Sequence, residues 1–309
     1  MAENRLKEVL AFVNHKGGVG KTTSVQNLAA GLRRFGRGCF GTNEAGKARK
    51  PRVLLVDLDP QSSLSFLFGW SETMRQGEPT MYDALVEQKQ IPVYRVREGI
   101  YLAPASKKLI SIEPFLNART VPRKALYKLF AKPLALMQED DGDFTSDGID
   151  WRGTGEAGDY PGCCGSLNVL EAFDYVLIDC PPALSLLTYN ALTAATSAVL
   201  PVQLEPLATK GIAEIINAIS ETKEDLNSRL AIRGLLMVMS NDQTKATRKF
   251  KDYLNKTFGE DVFVSYTRRD TKMVEAQSLN KDIFDYSAYC RVGIDYESFT
   301  KEILESMPK

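Results

Sequence analysis

Five short apolar runs punctuate the chain, and each stops at polar residues. Val9 to Val13 (VLAFV) leads into a stretch containing Gly17, Gly18 and Gly20, and Thr22 to Phe35 beyond it has the spacing of a helix. Val53 to Leu58 (VLLVDL) stops at Asp59-Pro60, and Tyr175 to Ile178 (YVLI) stops at Asp179 before Pro181-Pro182. Ala198 to Leu204 (AVLPVQL) and Leu235 to Met239 (LLMVM) complete the set. Continuous apolar runs separated by helical stretches predict an α/β fold: a mostly parallel sheet with helices on both faces. Ligands of such sheets gather at the carboxyl ends of the strands, which here carry Lys16, Asp59, Asp179, Glu205 and Asn241.

Two segments interrupt the rhythm. Gly36 to Pro51 is glycine-rich and basic, and Gln138 to Ser166 is acidic and glycine-rich. Both read as surface insertions in one domain spanning residues 1 to 309. A content of 44% hydrophobic and 25% charged residues excludes disordered and collagen-like classes. The 39 basic and 39 acidic residues cancel, so an anionic partner would have to be met by a local patch. Between Glu139 and Asp159 eight acidic residues stand against Arg152 alone, which leaves the rest of the chain at plus seven.

The five cysteines lack paired CxxC spacing, which argues against a zinc site or a disulfide framework. The vicinal Cys163 and Cys164 read as loop thiols of a reducing cytosol. No run approaches the roughly 18 apolar residues of a membrane span, and Met1 to Asn14 lacks the pattern of a signal peptide. A cytoplasmic protein is the expectation.

The segment His15-Lys16-Gly17-Gly18-Val19-Gly20-Lys21-Thr22-Thr23 ends in the GKT of a P-loop. Glycines let backbone amides turn towards phosphate oxygens, and the following helix presents its positive end. Lys21 would reach the β and γ phosphates, and the Thr22 hydroxyl would complete a Mg²⁺ site. A strand before the motif and a helix after it are the context such a loop requires.

The lysine at position 16 departs from the ordinary P-loop pattern. XKGGXGKT resembles the deviant Walker A of the ParA/MinD superfamily, and other segments narrow the likeness to ParA proteins. Val53 to Gln61 resembles their DxDPQ segment, and Phe173 to Pro182 resembles their Walker B. Pro201 to Glu205 with Lys210-Gly211, Asp242 to Thr244, Phe258, Glu275-Ala276 and Tyr296 to Ile303 follow in ParA-like order.

The resemblance implies a P-loop ATPase using ATP and Mg²⁺, active as a homodimer when ATP-bound. Lys16 would reach across the dimer to the partner's nucleotide, and Gly17, Gly18, Val19, Gly20, Lys21, Thr22 and Thr23 would surround the phosphates. Asp59 would orient the attacking water, while Thr22, Asp57, Asp59 and Asp179 would make up the metal site, Asp179 through water. Asn241 and Asp242 would touch the base or ribose. His15, the single histidine, reads as a loop side chain near the dimer interface and not as a general base.

Three branches of the superfamily compete. A redox member like nitrogenase iron protein would need a second thiol placed with Cys180 at the dimer axis, and none is evident. A MinD-like membrane ATPase would need a basic terminal amphipathic helix, whereas Tyr296 to Lys309 carries Glu297, Glu302 and Glu305. A ParA-like ATPase binding double-stranded DNA nonspecifically fits the stretch from Lys245 to Lys272, where eight basic residues outnumber four acidic ones. Lys245, Arg248, Lys249, Arg269 and Lys272 are the candidate DNA contacts. Gln243 replaces the usual arginine of the DxRT motif, and Arg268 replaces a proline. The eight residues before the first strand are too few for a helix-turn-helix. A nucleoid-associated ATPase stimulated by a ParB-like or other adaptor is the implied function.

Overall fold

The computed structural model describes residues 8–36, 50–137, 163–164, 167–204, 208–240, 244–258 and 263–305. Among the described residues ten strands form one sheet: β1 (Glu8–Phe12), β2 (Val53–Asp57), β3 (Pro92–Arg97), β4 (Ile100–Ala103), β5 (Ala135–Met137), β6 (Cys163–Cys164), β7 (Tyr175–Asp179), β8 (Ser197–Gln203), β9 (Ala231–Ser240) and β10 (Phe263–Arg268). The helices of the first half are α1 (Lys21–Phe35), α2 (Ser63–Leu67), α3 (Met81–Glu87), α4 (Glu113–Asn117), α5 (Ala125–Phe130) and α6 (Val169–Ala172). Those of the second half are α7 (Leu186–Ala194), α8 (Ala208–Asp225), α9 (Lys245–Phe258), α10 (Thr271–Ser278), α11 (Ile283–Ser287) and α12 (Arg291–Glu305).

The sheet order is β10-β9-β8-β1-β7-β2-β4-β3-β5-β6. Pairing is parallel except between β3 and β4 and between β5 and β6, so β3 and β5 run against the rest. The five apolar runs are β1, β2, β7, β8 and β9, the middle of the sheet. Their residues alternate between two cores. Val9, Ala11, Leu54, Val56, Val176 and Ile178 join one core with residues of α7, α8 and α9, while Leu10, Phe12, Val53, Leu55, Tyr175 and Leu177 join the other with residues of α1, α11 and α12. Both faces are covered, which is why these strands read as unbroken apolar runs.

The remaining strands were not foreseen. β3 (PVYRVR) and β10 (FVSYTR) lie towards the edges and mix apolar with polar residues. Cys163 and Cys164, expected in a loop, form the edge strand β6, with Cys164 opposite Leu136 and Cys163 opposite Met137. The other residues of the acidic insertion, and residues 37–49 of the basic one, lie outside the described residues.

Two register pairs decide where the chemistry sits. Phe12 of β1 and Asp57 of β2 are both level with Asp179 of β7, so the loop after β1 and two carboxylates emerge side by side from the middle of the sheet.

The C-terminal helix α12 packs against α1 and β10, burying Val292, Tyr296, Phe299 and Ile303. Gly31 of α1 permits this approach, because a Cβ at that position would fall on the buried Thr300 side chain. Ordinarily alanine stabilises a helix interior relative to glycine by roughly 1 kcal/mol. Here the overlap decides the sign: Gly31→Ala is expected to destabilise by about 1–3 kcal/mol in denaturant unfolding, and adding Thr300→Ala should recover most of the loss. A Gly31→Ala protein more stable than the parent would contradict this packing.

Candidate nucleotide site

Asn14, buried just past β1, starts the site. Its Nδ2 donates to the carbonyl of Pro201 in β8 at 2.6 Å, and its Oδ1 accepts from the Lys16 amide at 3.0 Å. The turn is thereby tied to a neighbouring strand before the glycines begin. Gly18 (φ 75°) and Gly20 (φ 73°) are left-handed, a conformation side chains resist. Gly17 and Gly18 are exposed, while the Val19 side chain is buried beneath the loop, leaving only its backbone for a ligand. Gly20 caps α1, whose first turn holds no acidic residue. Free amides and an uncompensated positive helix end suit an anion.

Lys21 is buried, and its Nζ donates to the carbonyls of Asn14 and Lys16, both at 3.0 Å. Burial pushes its pKa down, against the opposing pull of Asp179. Both carbonyls belong to the loop the lysine spans, so the ammonium staples that loop from within. Lys16 itself is exposed at the mouth.

Two carboxylates, Asp179 and Asp59, act on this cation, and Asp57 lies level with Asp179 in the sheet. Asp57 is fully buried and accepts from the Ser65 amide at 2.9 Å, the Ser65 hydroxyl at 2.7 Å and the Asp59 amide at 3.1 Å. Burial nevertheless raises its pKa to about 7. These bonds hold the turn into α2, where Ser62 is left-handed (φ 54°). Asp57 thus has a structural task whether or not it also serves a metal shell. Asp179 Oδ2 accepts from the Thr22 hydroxyl at 2.7 Å, while its Oδ1 is buried without a partner. Burial first, and then Asp57, raise the pKa of Asp179 well above the ordinary value. Asp59 is half-buried, accepts from the Gln61 amide at 2.9 Å, and has its pKa raised by burial. Cys180 is buried beside this cluster, and burial raises the thiol pKa far beyond the reactive range.

A magnesium nucleotide fits this arrangement. The orphaned Asp179 oxygen and the carboxylate excess over Lys21 call for a further cation, and the left-handed glycines leave amides for anionic oxygens. No group of three or more His, Cys, Asp or Glu among the described residues could hold a metal by itself. Magnesium would therefore need the Thr22 hydroxyl, phosphate oxygens and water, which is the way this ion is ordinarily bound.

The loop opens into a cleft of about 1660 Å³ that reaches Met239, Thr267 and Arg269 at the ends of β9 and β10, and Gln277 of α10. Thr23, expected at the phosphates, has its hydroxyl bonded by Gln277 Nε2 at 2.9 Å. Asn241, Asp242 and Gln243 lie outside the described residues. Arg268 is turned to the buried Asp295 at 2.7 Å and so serves the packing of α12.

The basic candidates do not share one face. Lys245, Arg248 and Lys249 are exposed on α9, whose Phe250 and Leu254 pack in the core with α7 and α8. Arg269 and Lys272 are exposed beside α10, which packs in the opposite core through Ala276. The two helices thus pack on opposite faces of the sheet, and Lys272 is paired with Glu275 at 2.8 Å.

Asn14, Ser65 and Gln277 take positioning parts that sequence reasoning missed. Asn14 gave a signal, a polar residue closing an apolar run. Gln277 gave none, since 254 residues separate it from Thr23.

Residues 7–134 and 167–232 match the AAA domain family. The chain is 31% identical over 302 residues to the chromosome-partitioning ATPase Soj of Thermus thermophilus, covering 96% of this chain and 94% of that protein. It is 29% identical over 297 residues to Soj of Treponema pallidum, covering 96% and 97% of the two. Among solved structures, a cobyrinic acid a,c-diamide synthase from Mycobacterium smegmatis with bound ATP analog and magnesium superimposes with a TM-score of 0.68 at 27% identity, covering 98% of this chain and 99% of that one. With a glycine loop, a buried lysine and paired carboxylates at the middle of the sheet, the chain belongs to the AAA domain family and, within it, to the ParA and Soj group of partition ATPases.

Proposed function

We propose that this chain hydrolyses ATP with Mg²⁺ as a homodimer and, in its ATP-bound form, binds double-stranded DNA without sequence preference to partition or position a cargo. The observation that carries this reading is the joint placement of Lys21, Thr22, Asp59 and Asp179 around the loop after β1. In the cytoplasm such a dimer would occupy the nucleoid, and a ParB-like or other adaptor would stimulate hydrolysis. One ATPase domain spans residues 1 to 309, with 36–51 and 138–166 as insertions.

Bound Mg²⁺·ATP supplies the transferable phosphoryl group and neutralises charge on its oxygens. The chain's own residues do the rest. Amides of Gly17 to Thr22 and the Lys21 ammonium would hold the phosphates, and the Thr22 hydroxyl would hold the metal. Asp179 would support the metal site through water, with the oxygen that lacks a partner. Asp59, on the turn held by Asp57 and Ser65, orients the attacking water. Lys16, exposed on the loop, would reach a partner subunit's phosphates. The apolar side of α12 is buried on α1 and β10, which supports DNA over a membrane surface as the partner.

Lys21→Ala should lower ATP affinity at least about 100-fold, since a buried charged contact is lost. Asp59→Ala should keep ATP bound and accumulate as a dimer in size-exclusion chromatography. Mixing Lys16→Ala with Asp59→Ala chains should restore hydrolysis at one composite site, because the two residues serve that site from different subunits. No recovery in a mixture shown to heterodimerise would place both residues in one subunit.

The carboxylates predict a pH dependence with a definite sign. Folding raises the pKa of Asp57 from about 4 to about 7, so the folded state binds more protons between those values. Its contribution therefore makes the nucleotide-free protein less stable as pH rises from about 4 to about 7, and constant above. The stability difference between the parent and Asp57→Asn should show this slope in denaturant titrations. Cation binding favours the ionised cluster, so Mg²⁺·ATP binding near pH 7 should release protons, measurable calorimetrically in buffers of different ionisation enthalpy. Proton uptake would be the contrary result.

DNA binding by the Asp59→Ala dimer should need ATP and ignore sequence. Two copies of the β10 edge held in one orientation add their phosphate contacts. If about six to ten phosphates are neutralised, affinity should fall about 10³- to 10⁵-fold between about 50 and 200 mM salt. Combined Arg248→Glu and Arg269→Glu should abolish it. Binding to anionic vesicles instead of DNA would move the protein to the membrane branch.

A further inference from the structure

His15 stands directly before Lys16, and its ring rests on the helix that follows β8. A Cβ built on Gly211, in the first turn of α8, would fall on the imidazole Cε1 and come within 3.1 Å of Nδ1. The ring therefore occupies the space that a side chain at 211 would need. Gly211 is buried and carries no positive φ, so backbone conformation does not demand glycine there. Close approach does.

The same ring faces a carboxylate one turn along the helix, with His15 Nε2 3.9 Å from Glu214 Oε2. Both side chains are nearly half exposed, at 40% and 46%. The charged residues next to His15 and Gly211 in the chain are Lys16 and Lys210, both exposed. Among the described residues Glu214 is the carboxylate within ion-pair reach of the ring.

Three successive residues of the loop are thus gripped by three different parts of the fold. Asn14 is tied to β8 through Pro201, His15 lies on α8, and the Lys16 carbonyl accepts from Lys21. β8 and α8 are therefore both fastened to the segment that presents Lys16. From this juxtaposition we infer that His15 is a positioning residue: seated on Gly211 and facing Glu214, it fixes the turn that carries Lys16 and so preorganises the phosphate loop. This rests on the reading of residues 14–22 as a nucleotide site and adds to it a residue outside the motif, Gly211. A loop held in its binding shape loses less freedom when a nucleotide enters, and affinity rises accordingly.

The test is the dissociation constant of mant-ATP with Mg²⁺, measured by fluorescence on the full chain, with thermal melts as a check on folding. His15→Ala should weaken binding about two- to fivefold, the range of an exposed ion pair. Gly211→Ala should weaken it about tenfold, because the new methyl group displaces the ring and the Lys16 turn with it. In the double variant His15→Ala/Gly211→Ala the methyl meets no ring, so the constant should return to within about threefold of His15→Ala alone. A purely local effect of Gly211→Ala on α8 would not be relieved in this way.

Glu214→Gln, which removes the carboxylate facing the ring, should weaken binding about two- to fivefold. Gly211→Ala binding like the parent, a double variant as weak as Gly211→Ala, or both His15→Ala and Glu214→Gln binding like the parent would each overturn the inference. Should Gly211→Ala fail to fold, His15→Ala and Glu214→Gln decide alone. A parent chain that melts cooperatively but does not bind mant-ATP would instead remove the nucleotide reading, and the positioning role with it.

Discussion

Two carboxylates on neighbouring strands, level with each other and out of contact with water, set the terms for the rest of this protein. Asp57 and Asp179 are register partners in β2 and β7, and both are fully buried. Like charges in such a position cannot both stay ionised without compensation. Among the described residues the buried cation is Lys21, beside Asp179, and donors come from Ser65, Asp59 and Thr22. That compensation is incomplete, as the unpartnered Asp179 oxygen and the raised pKa values record. The deficit is what gives the apo site its appetite for a cation.

The surrounding fold can be understood as what makes this arrangement tolerable. Parallel strands covered on both faces exclude water from the middle of the sheet, and the carboxyl ends are the place where buried backbone opens into loops. Asn14 fastens the glycine loop to β8, and Asp57 fastens the turn into α2, so the two mobile-prone connections beside the cluster are each anchored by one side chain. The motif's residues occupy a shape made by strands that the motif does not contain.

What the sequence disclosed follows the range of the interactions. β1, β2, β7, β8 and β9 were legible because a strand buried on both faces leaves an unbroken apolar run. β3 and β10 were not, since half-buried strands near an edge alternate like many loops, and two-residue β6 has no period at all. The glycine loop was legible because its parts are contiguous. The contacts of Thr23 with Gln277, Asn14 with Pro201 and His15 with Gly211 join residues that the sequence separates widely, and nothing in either partner alone announces the other. The basic candidates illustrate a different failure: helical spacing grouped Lys245, Arg248 and Lys249, but only the two cores show that α10, with Lys272 already paired, packs on the opposite face of the sheet from α9.

At the opposite margin of the sheet, the chain leaves β5 at Met137 and re-enters at Cys163, and these two residues are direct partners across an antiparallel ladder. The ends of the acidic excursion are thus held one strand spacing apart, about 5 Å, whatever runs between them. Closing a longer loop on fixed ends costs only about 0.6 kcal/mol per doubling of length. Sequence there can lengthen, shorten or change its charge over evolutionary time while the carboxylate cluster, several strands away, keeps its geometry. The sheet margin is in that sense an open port: the place in this fold where a lineage can acquire a new recognition segment without renegotiating the ATPase.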